Sequence, residues 1–107
     1  MRLVESKKKY VIANNIGTNM EIKADLYQHV KYEDVFFIVS KKSIATQKSS
    51  KDFIAYELET GQFVSLGKTV EILFENIDRM IRSMTIEKFR ERRYFFQPKY
   101  NQSKSDF

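Results

Sequence analysis

One continuous segment, residues 53–84, constrains the fold more than any other part of the sequence. Two strand-like runs, residues 53–59 and 62–66, flank Thr60-Gly61, and Gly61 can supply the left-handed residue of a tight hairpin turn. Apolar residues then recur at helical spacing over four turns: Val70, Leu73, Phe74, Ile77, Met80, Ile81 and Met84. The pattern predicts a hairpin followed by an amphipathic helix that packs one face on a sheet.

The start of this helix is marked by its polar residues. Thr69 is placed to accept a hydrogen bond from an otherwise unpaired amide, and Glu71 in the first turn interacts favourably with the helix dipole. The outward face carries two ion pairs at a separation of four residues in the favoured order: Glu75 with Arg79 and Asp78 with Arg82. These features predict a helix that begins after Thr69.

Three further segments have strand character. Residues 20–27 alternate between apolar and polar side chains, which favours a half-buried strand over the competing short helix. Residues 35–39 are continuously apolar, as expected for a central strand that is covered on both faces. Residues 10–13 form a short strand candidate.

The remaining segments connect these elements. We expect residues 1–9 to be a charged lead-in and residues 48–52 to be a polar loop, with residues 43–46 pairing back through a Lys41-Lys42 turn. A second short helix is predicted from Ile86 to about Tyr94, and Pro98 prevents it from continuing.

Together these elements predict an α+β fold. We expect an antiparallel sheet of four to five strands, one long amphipathic helix packed on one face, and a short C-terminal helix. Residues 1–100 are predicted to form a single domain and residues 101–107 a flexible tail.

The composition indicates a cytoplasmic protein. There is no cysteine, so disulfides and thiolate metal sites are excluded and a reducing compartment is expected. No apolar run approaches the ~20 residues of a membrane span, and the N-terminus has no apolar signal segment. The bias towards Lys, Ile, Asn, Phe and Tyr is typical of an AT-rich coding sequence from a low-GC bacterium or its phages.

The sequence contains no convincing catalytic arrangement. His29 is the only histidine, and it could approach Asp25 only if that segment were helical. Glu57 and Glu59 share one face of a strand, but they lie beside a turn and are expected in water. The three glycines are explained by turns, so there is no phosphate-binding loop. We therefore expect no enzymatic activity, cofactor or metal.

A basic aromatic stretch near the C-terminus is the strongest functional signal. Cations and aromatic rings alternate there, and the candidate contact residues are Lys88, Phe89, Arg90, Arg92, Arg93, Tyr94, Phe95 and Lys99. Guanidinium groups can hold phosphates and aromatic faces can stack on unpaired bases. Three interpretations remain open: a nucleic-acid or nucleoprotein contact, a protein or homodimer contact, and the edge of the core.

The overall charge favours an acidic partner. The formal net charge is +5 and the calculated pI is about 9.4. Besides the C-terminal stretch, two lysine groups stand out: Lys7-Lys8-Lys9, and Lys41-Lys42 with Lys48 and Lys51. If the sheet brought these groups together with the arginines, one face would become strongly positive. Lysines scattered over loops are the alternative.

The helix opening resembles that of HicB-type antitoxins. In that family a strand is followed by Gly-x-Thr-apolar-Glu and then by an apolar helix with a Glu-Asn pair. The matching positions are Gly67, Thr69, Val70, Glu71, Glu75 and Asn76. This resemblance implies a strand-cap-helix unit, and as a function it implies neutralisation of a protein toxin or regulation of an operator.

In size and composition the chain is similar to small accessory proteins of phages and mobile elements, among them anti-CRISPR proteins. That resemblance implies a non-catalytic inhibitor that binds a host nucleoprotein in fixed stoichiometry. The expected partner is thus a protein or nucleoprotein, with nucleic acid as a further candidate and no membrane.

Overall fold

Five strands and two helices make up the described part of the chain. The computed structural model describes residues 1–13, 19–46 and 48–95, with the backbone alone for residues 13 and 92–95. The elements are β1 (Arg2–Ala13), β2 (Asn19–Gln28), β3 (Phe36–Lys42), β4 (Ser49–Glu57), β5 (Phe63–Gly67), α1 (Val70–Met84) and α2 (Ile86–Phe95). Each strand pairs antiparallel with the next in the order β1-β2-β3-β4-β5. The predicted fold class is therefore confirmed.

Helix α1 begins as its polar residues predict. The Oγ1 atom of Thr69 accepts a hydrogen bond from the backbone N–H of Ile72 at 3.1 Å, which satisfies one amide of the first turn. The apolar stripe lies against the sheet, with Leu73, Ile77 and Ile81 buried. Phe74 extends the contact to β2, where its ring meets Tyr27 edge to face at 4.9 Å.

Strand β3 is buried on both sides and contributes to two cores. Phe37 and Val39 belong to the helix-side core, together with Val35, Ala55, Val64, Leu73, Ile77, Ile81 and Phe89. Ile38 belongs to the core on the opposite face, together with Ile12, Ile22, Ala24, Leu26, Ile44, Ile54 and Tyr56. The expectation of a central strand covered on both faces is confirmed.

The second core closes because the sheet curls. Gly61 lies in the β4–β5 turn and Ile12 near the end of β1, three strands away in the sheet order. A Cβ atom on Gly61 would nevertheless come within 2.6 Å of the Ile12 side chain. The two outer hairpins therefore approach each other over this face, which we call the concave face. Gly61 also has a positive φ of 69°, as its predicted turn role requires.

Three predicted loop segments are strand. The charged residues 1–9 lie almost wholly in β1, Lys41 and Lys42 end β3, and residues 49–52 belong to β4. Backbone hydrogen bonding between strands does not depend on apolar side chains. The charged composition of these segments therefore led to wrong predictions. Strand β1 also shows the irregularity expected of an edge, with register shifts on both sides of Glu5 and a left-handed Lys7.

The C-terminal helix runs from Ile86 to Phe95, close to its predicted bounds. Its Phe89 lies in the helix-side core, where the ring centroid is 6.1 Å from that of Phe37. Within the described part, neither helix is long and apolar enough to cross a membrane. Residues 14–18 and the predicted tail, residues 101–107, lie outside the described residues.

Gly67 permits the close approach of β5 and α1. A Cβ atom there would lie 2.6 Å from the backbone N and 2.8 Å from the Cα of Leu73. To relieve this clash α1 would have to move away from β5, which would disrupt the helix-side core around Leu73. We expect Gly67→Ala to lower the free energy of unfolding by about 1–3 kcal/mol, measured by urea denaturation. The neighbouring exposed Lys68→Ala is the control, with little expected change. Equal stability of the two variants would contradict this packing argument.

Candidate binding surfaces

Two residues of the basic aromatic stretch, Phe89 and Arg90, have structural roles. Phe89 is 1% exposed and serves as a core residue. Arg90 makes a two-point contact with Asp34: its Nε and Nη2 atoms donate to the carboxylate at 2.9 and 2.7 Å. These hydrogen bonds raise the pKa of Arg90 above its ordinary value. The guanidinium also lies 5.6 Å from the centre of the Tyr32 ring, so Arg90 ties α2 to the β2–β3 loop.

The other predicted contact residues divide into two groups. Lys88 is exposed on α2, between the acidic residues Glu87 and Glu91 on the same helix. Helix α2 extends to Phe95. The described part of the structure does not include Lys99 or the side chains of Arg92, Arg93, Tyr94 and Phe95. In the described part, α2 therefore presents one open cation, Lys88, flanked by carboxylates.

His29 has a structural role that its sequence neighbours do not reveal. Because its segment is strand, His29 meets Asp78 of α1 rather than Asp25, with Nε2 2.7 Å from the carboxylate oxygen. Its Nδ1 accepts hydrogen bonds from the backbone N–H groups of Lys31 and Tyr32 at 3.1 and 3.2 Å. Since Nδ1 accepts, the ring proton must lie on Nε2, which donates to Asp78. The side chain, 6% exposed, thus fastens the β2–β3 loop to α1.

Glu57 is buried, contrary to the expectation that it lies in water. It is 4% exposed, and its Oε1 accepts hydrogen bonds from the backbone N–H and the hydroxyl of Thr60 at 3.2 and 3.0 Å. Both donors belong to the tight β4–β5 turn, so the carboxylate braces that turn. Among the described residues, no three His, Asp or Glu side chains are grouped so that they could hold a metal ion.

An open cleft lies on the concave face. It has a volume of about 730 Å³ and lies between the β3–β4 connection and the β4–β5 hairpin. Its lining is apolar or neutral: Ser43, Ile44, Ala45, Thr46, Ser49, Ser50, Ile54, Tyr56, Gly61, Gln62, Phe63 and Leu66. Phe63 and Leu66 on edge strand β5 are 50% and 47% exposed. We call this the concave cleft.

Tyr56 holds the wall of the concave cleft in place. Its hydroxyl accepts a hydrogen bond from the backbone N–H of Ile44 at 3.0 Å and donates to the carbonyl of Lys42 at 3.2 Å. The β3–β4 connection is closed further by the N–H of Ser43, which donates to the carbonyl of Lys48 at 2.9 Å. These hydrogen bonds therefore hold the β3–β4 connection, which forms the wall, in a fixed position against the sheet.

Three lysines adjoin residues of this wall in the sequence, and we call them the hairpin lysines: Lys42, Lys48 and Lys51. Lys42 pairs with Ser49 across the β3–β4 ladder, which brings it close to Lys48, whereas Lys51 lies in the register shift beyond that pair. In the described part of the chain, none has a carboxylate oxygen within 4 Å. Lys41 points to the other face, where its ammonium group lies 4.7 Å from the centre of the Phe53 ring.

The hairpin lysines and α2 do not form one positive face. Strand β3 starts at Phe36, just after the loop that Arg90 contacts, and ends at Lys42. Its seven residues span roughly 20 Å, so the two basic regions lie at opposite ends of the sheet. The structure therefore offers two separate candidate surfaces, and the sequence motif marked only the one at α2.

No family model, curated protein or solved structure matches this chain.

The role of His29 can be tested by two matched substitutions. His29→Leu leaves two backbone N–H groups without an acceptor, and we expect a loss of about 1–3 kcal/mol in the free energy of unfolding. Asp78→Asn keeps an oxygen that accepts from Nε2–H, so we expect a loss of no more than about 1 kcal/mol. Urea denaturation measures both, and a larger loss for Asp78→Asn than for His29→Leu would contradict this account of the His29 contacts.

The raised pKa of the Tyr56 hydroxyl makes the stability of the fold depend on pH in alkaline solution. Burial raises its pKa above the ordinary value of 10.0, although hydrogen bonds from Ile44 and Ser43 offset part of the effect. Burial also raises the pKa of Tyr10 and Tyr27. A raised pKa in the folded state means that the unfolded chain ionises first, so this stabilisation is complete below about pH 10 and is lost as the pH rises through the folded pKa.

We therefore expect the melting temperature to fall steeply above about pH 10. Tyr56→Phe should be less stable at neutral pH, because the Ile44 N–H loses its acceptor, and should show a smaller alkaline decrease. Melting curves from about pH 8 to pH 11 measure both effects. An unchanged alkaline decrease in Tyr56→Phe would assign the effect to other groups.

Proposed function

We propose that this chain is a small non-catalytic binding protein of the phage or mobile-element type. It modulates a host nucleoprotein, as anti-CRISPR proteins do, by binding in fixed stoichiometry. Its contact surface is the concave cleft together with the hairpin lysines. The observation that carries the proposal is the position beside an open apolar cleft of lysines that have no carboxylate oxygen within 4 Å in the described part of the chain.

The cleft has the character of a contact site. Half-exposed Phe63 and Leu66 stand at the edge of buried Ile54 and Tyr56, so a partner group that enters is surrounded by apolar surface. Interfaces commonly place aromatic and aliphatic anchors at the centre and polar groups at the rim. The lining here follows that order, with serines and Gln62 around the apolar floor.

The charge distribution supports an acidic partner. The net charge of +5 attracts anions, but Arg90 is already paired with Asp34. The hairpin lysines have no carboxylate oxygen within 4 Å among the described residues. A nucleoprotein supplies both apolar groups for the cleft and anions for the lysines.

The resemblance to HicB-type antitoxins does not favour a second function, because its residues have structural roles. Thr69 caps α1, and Gly67 allows the backbone of Leu73 to approach β5. The side-chain amide of Asn76 donates to the carbonyl of Leu66 at 2.9 Å and so covers the edge of β5. Packing of a helix on an edge strand accounts for this motif.

Two variants of equal charge test which surface binds. The hairpin variant carries Lys42→Gln, Lys48→Gln and Lys51→Gln, and the α2 variant carries Lys88→Gln, Arg92→Gln and Arg93→Gln. We expect the tagged natural chain and the α2 variant to retain from low-GC bacterial lysate a complex that contains protein and nucleic acid. The hairpin variant should lose it. The readout is the stoichiometry and nucleic-acid content of the captured complex.

The alternatives give different results in the same experiment. If only the α2 variant loses the complex, the contact lies on α2, as the sequence motif suggested. If the natural chain captures nothing that contains nucleic acid, a nucleoprotein is not the partner. Melting temperatures of both variants are the control for folding.

A further inference from the structure

We propose that the group recognised by this surface is a single-stranded nucleic acid. One base enters the concave cleft against Phe63, and the neighbouring phosphates bind the hairpin lysines. This inference rests on the proposed function and names the component of the nucleoprotein that the chain contacts.

The lysines are spaced for consecutive phosphates. Lys42 and Ser49 are paired across the ladder, which places their Cα atoms about 5 Å apart. Lys48 precedes Ser49, so it lies close to Lys42, whereas Lys51 lies in the register shift beyond this pair. A nucleic-acid backbone carries one negative charge per nucleotide, so the ammonium groups of Lys42 and Lys48 can contact adjacent phosphates.

The cleft fits a nucleobase in chemistry and size. Its floor of Ile44, Ile54 and Tyr56 is apolar, and its border provides neutral hydrogen-bonding groups from serines and Gln62. No described charged side chain lines it. A base has an apolar face and a neutral polar edge, and the volume of about 730 Å³ lies within the range of small-ligand sites.

Phe63 supplies a stacking face beside the cleft. It is the register partner of Tyr56, yet half of its surface remains exposed while Tyr56 is buried. Aromatic faces stack on unpaired bases with little regard to sequence, and lysines beside them hold the backbone. A duplex keeps its bases stacked inside and would use the lysines alone.

An acidic protein segment could pair with the same lysines, but carboxylates do not match an uncharged cleft. The lone acidic residue within the lysine-bearing segment 42–52 is Asp52, which is half-buried in β4 and not within 4 Å of any described ammonium group. We therefore favour a strand with exposed bases over an acidic peptide.

The test is fluorescence anisotropy of the full chain with labelled oligo(dT) and oligo(rU) of about 12 nucleotides, and with a duplex of the same length. We expect both single strands to bind more tightly than the duplex. Two phosphate contacts predict that the affinity falls about 7-fold between about 50 and about 200 mM salt. The hairpin variant should lose most of this salt dependence, and the α2 variant should keep it.

The base contact is tested at Phe63. Phe63→Leu keeps an apolar side chain but removes the aromatic face, and loss of one stacked base predicts about 5- to 150-fold weaker binding. Val30→Ala, in the β2–β3 loop away from the cleft, is the control that shortens an exposed apolar side chain without removing an aromatic face. Equal affinity of Phe63→Leu and the natural chain would overturn the base contact, as would equal binding of duplex and single strand.

The failure of this inference can be told from the failure of the proposed function. If the chain captures a nucleoprotein from lysate but binds neither oligonucleotide at about 50 mM salt, the protein component is the contact and the inference is wrong. If it binds the single strands but captures no nucleoprotein, the single-strand site stands and the proposed modulation of a nucleoprotein is wrong.

Discussion

Burial of β3 on both faces is the constraint on which the other elements depend. Phe37, Val39 and Ile38 alternate between two cores, so each face of this strand needs a cover of its own. Helix α1 covers one face, and the curled hairpins β1–β2 and β4–β5 cover the other. Because the two hairpins meet only at their ends, where Gly61 touches Ile12, an open space remains along β4 and β5. The concave cleft is therefore a direct result of covering one face with strands.

Much of the fold was predictable because strong local signals coincided with the tertiary contacts. The hairpin at Gly61, the cap at Thr69 and the apolar stripe of α1 all lie where the sequence places them. The errors occurred at Lys7, Lys41 and Lys51, where charged residues belong to strands. Local composition cannot show that a neighbouring strand supplies the hydrogen bonds, since that neighbour is chosen by the packing of other residues.

The candidate sites were less predictable for the same reason. The sequence motif at α2 combines arginines and aromatics, but Phe89 is taken by the core and Arg90 by Asp34, 56 residues away. Conversely, Lys42 and Lys48 become candidate contacts only because the β3–β4 ladder brings them together beside a cavity that β5 borders. The one local signal that pointed there was the group of lysines at residues 41–51. Nothing in their spacing indicates an apolar cleft.

The order of the strands has a consequence for how the chain folds. Each strand pairs with its neighbour in sequence, so most of the sheet can grow through short loops at small entropic cost. Contacts between distant residues are exceptions, among them Ile12 with Gly61 and His29 with Asp78, each of which joins residues 49 positions apart. We expect these long-range closures to form late, after the meander and α1. The concave cleft would then take its final shape only in the last step of folding, because one of its walls contains Gly61.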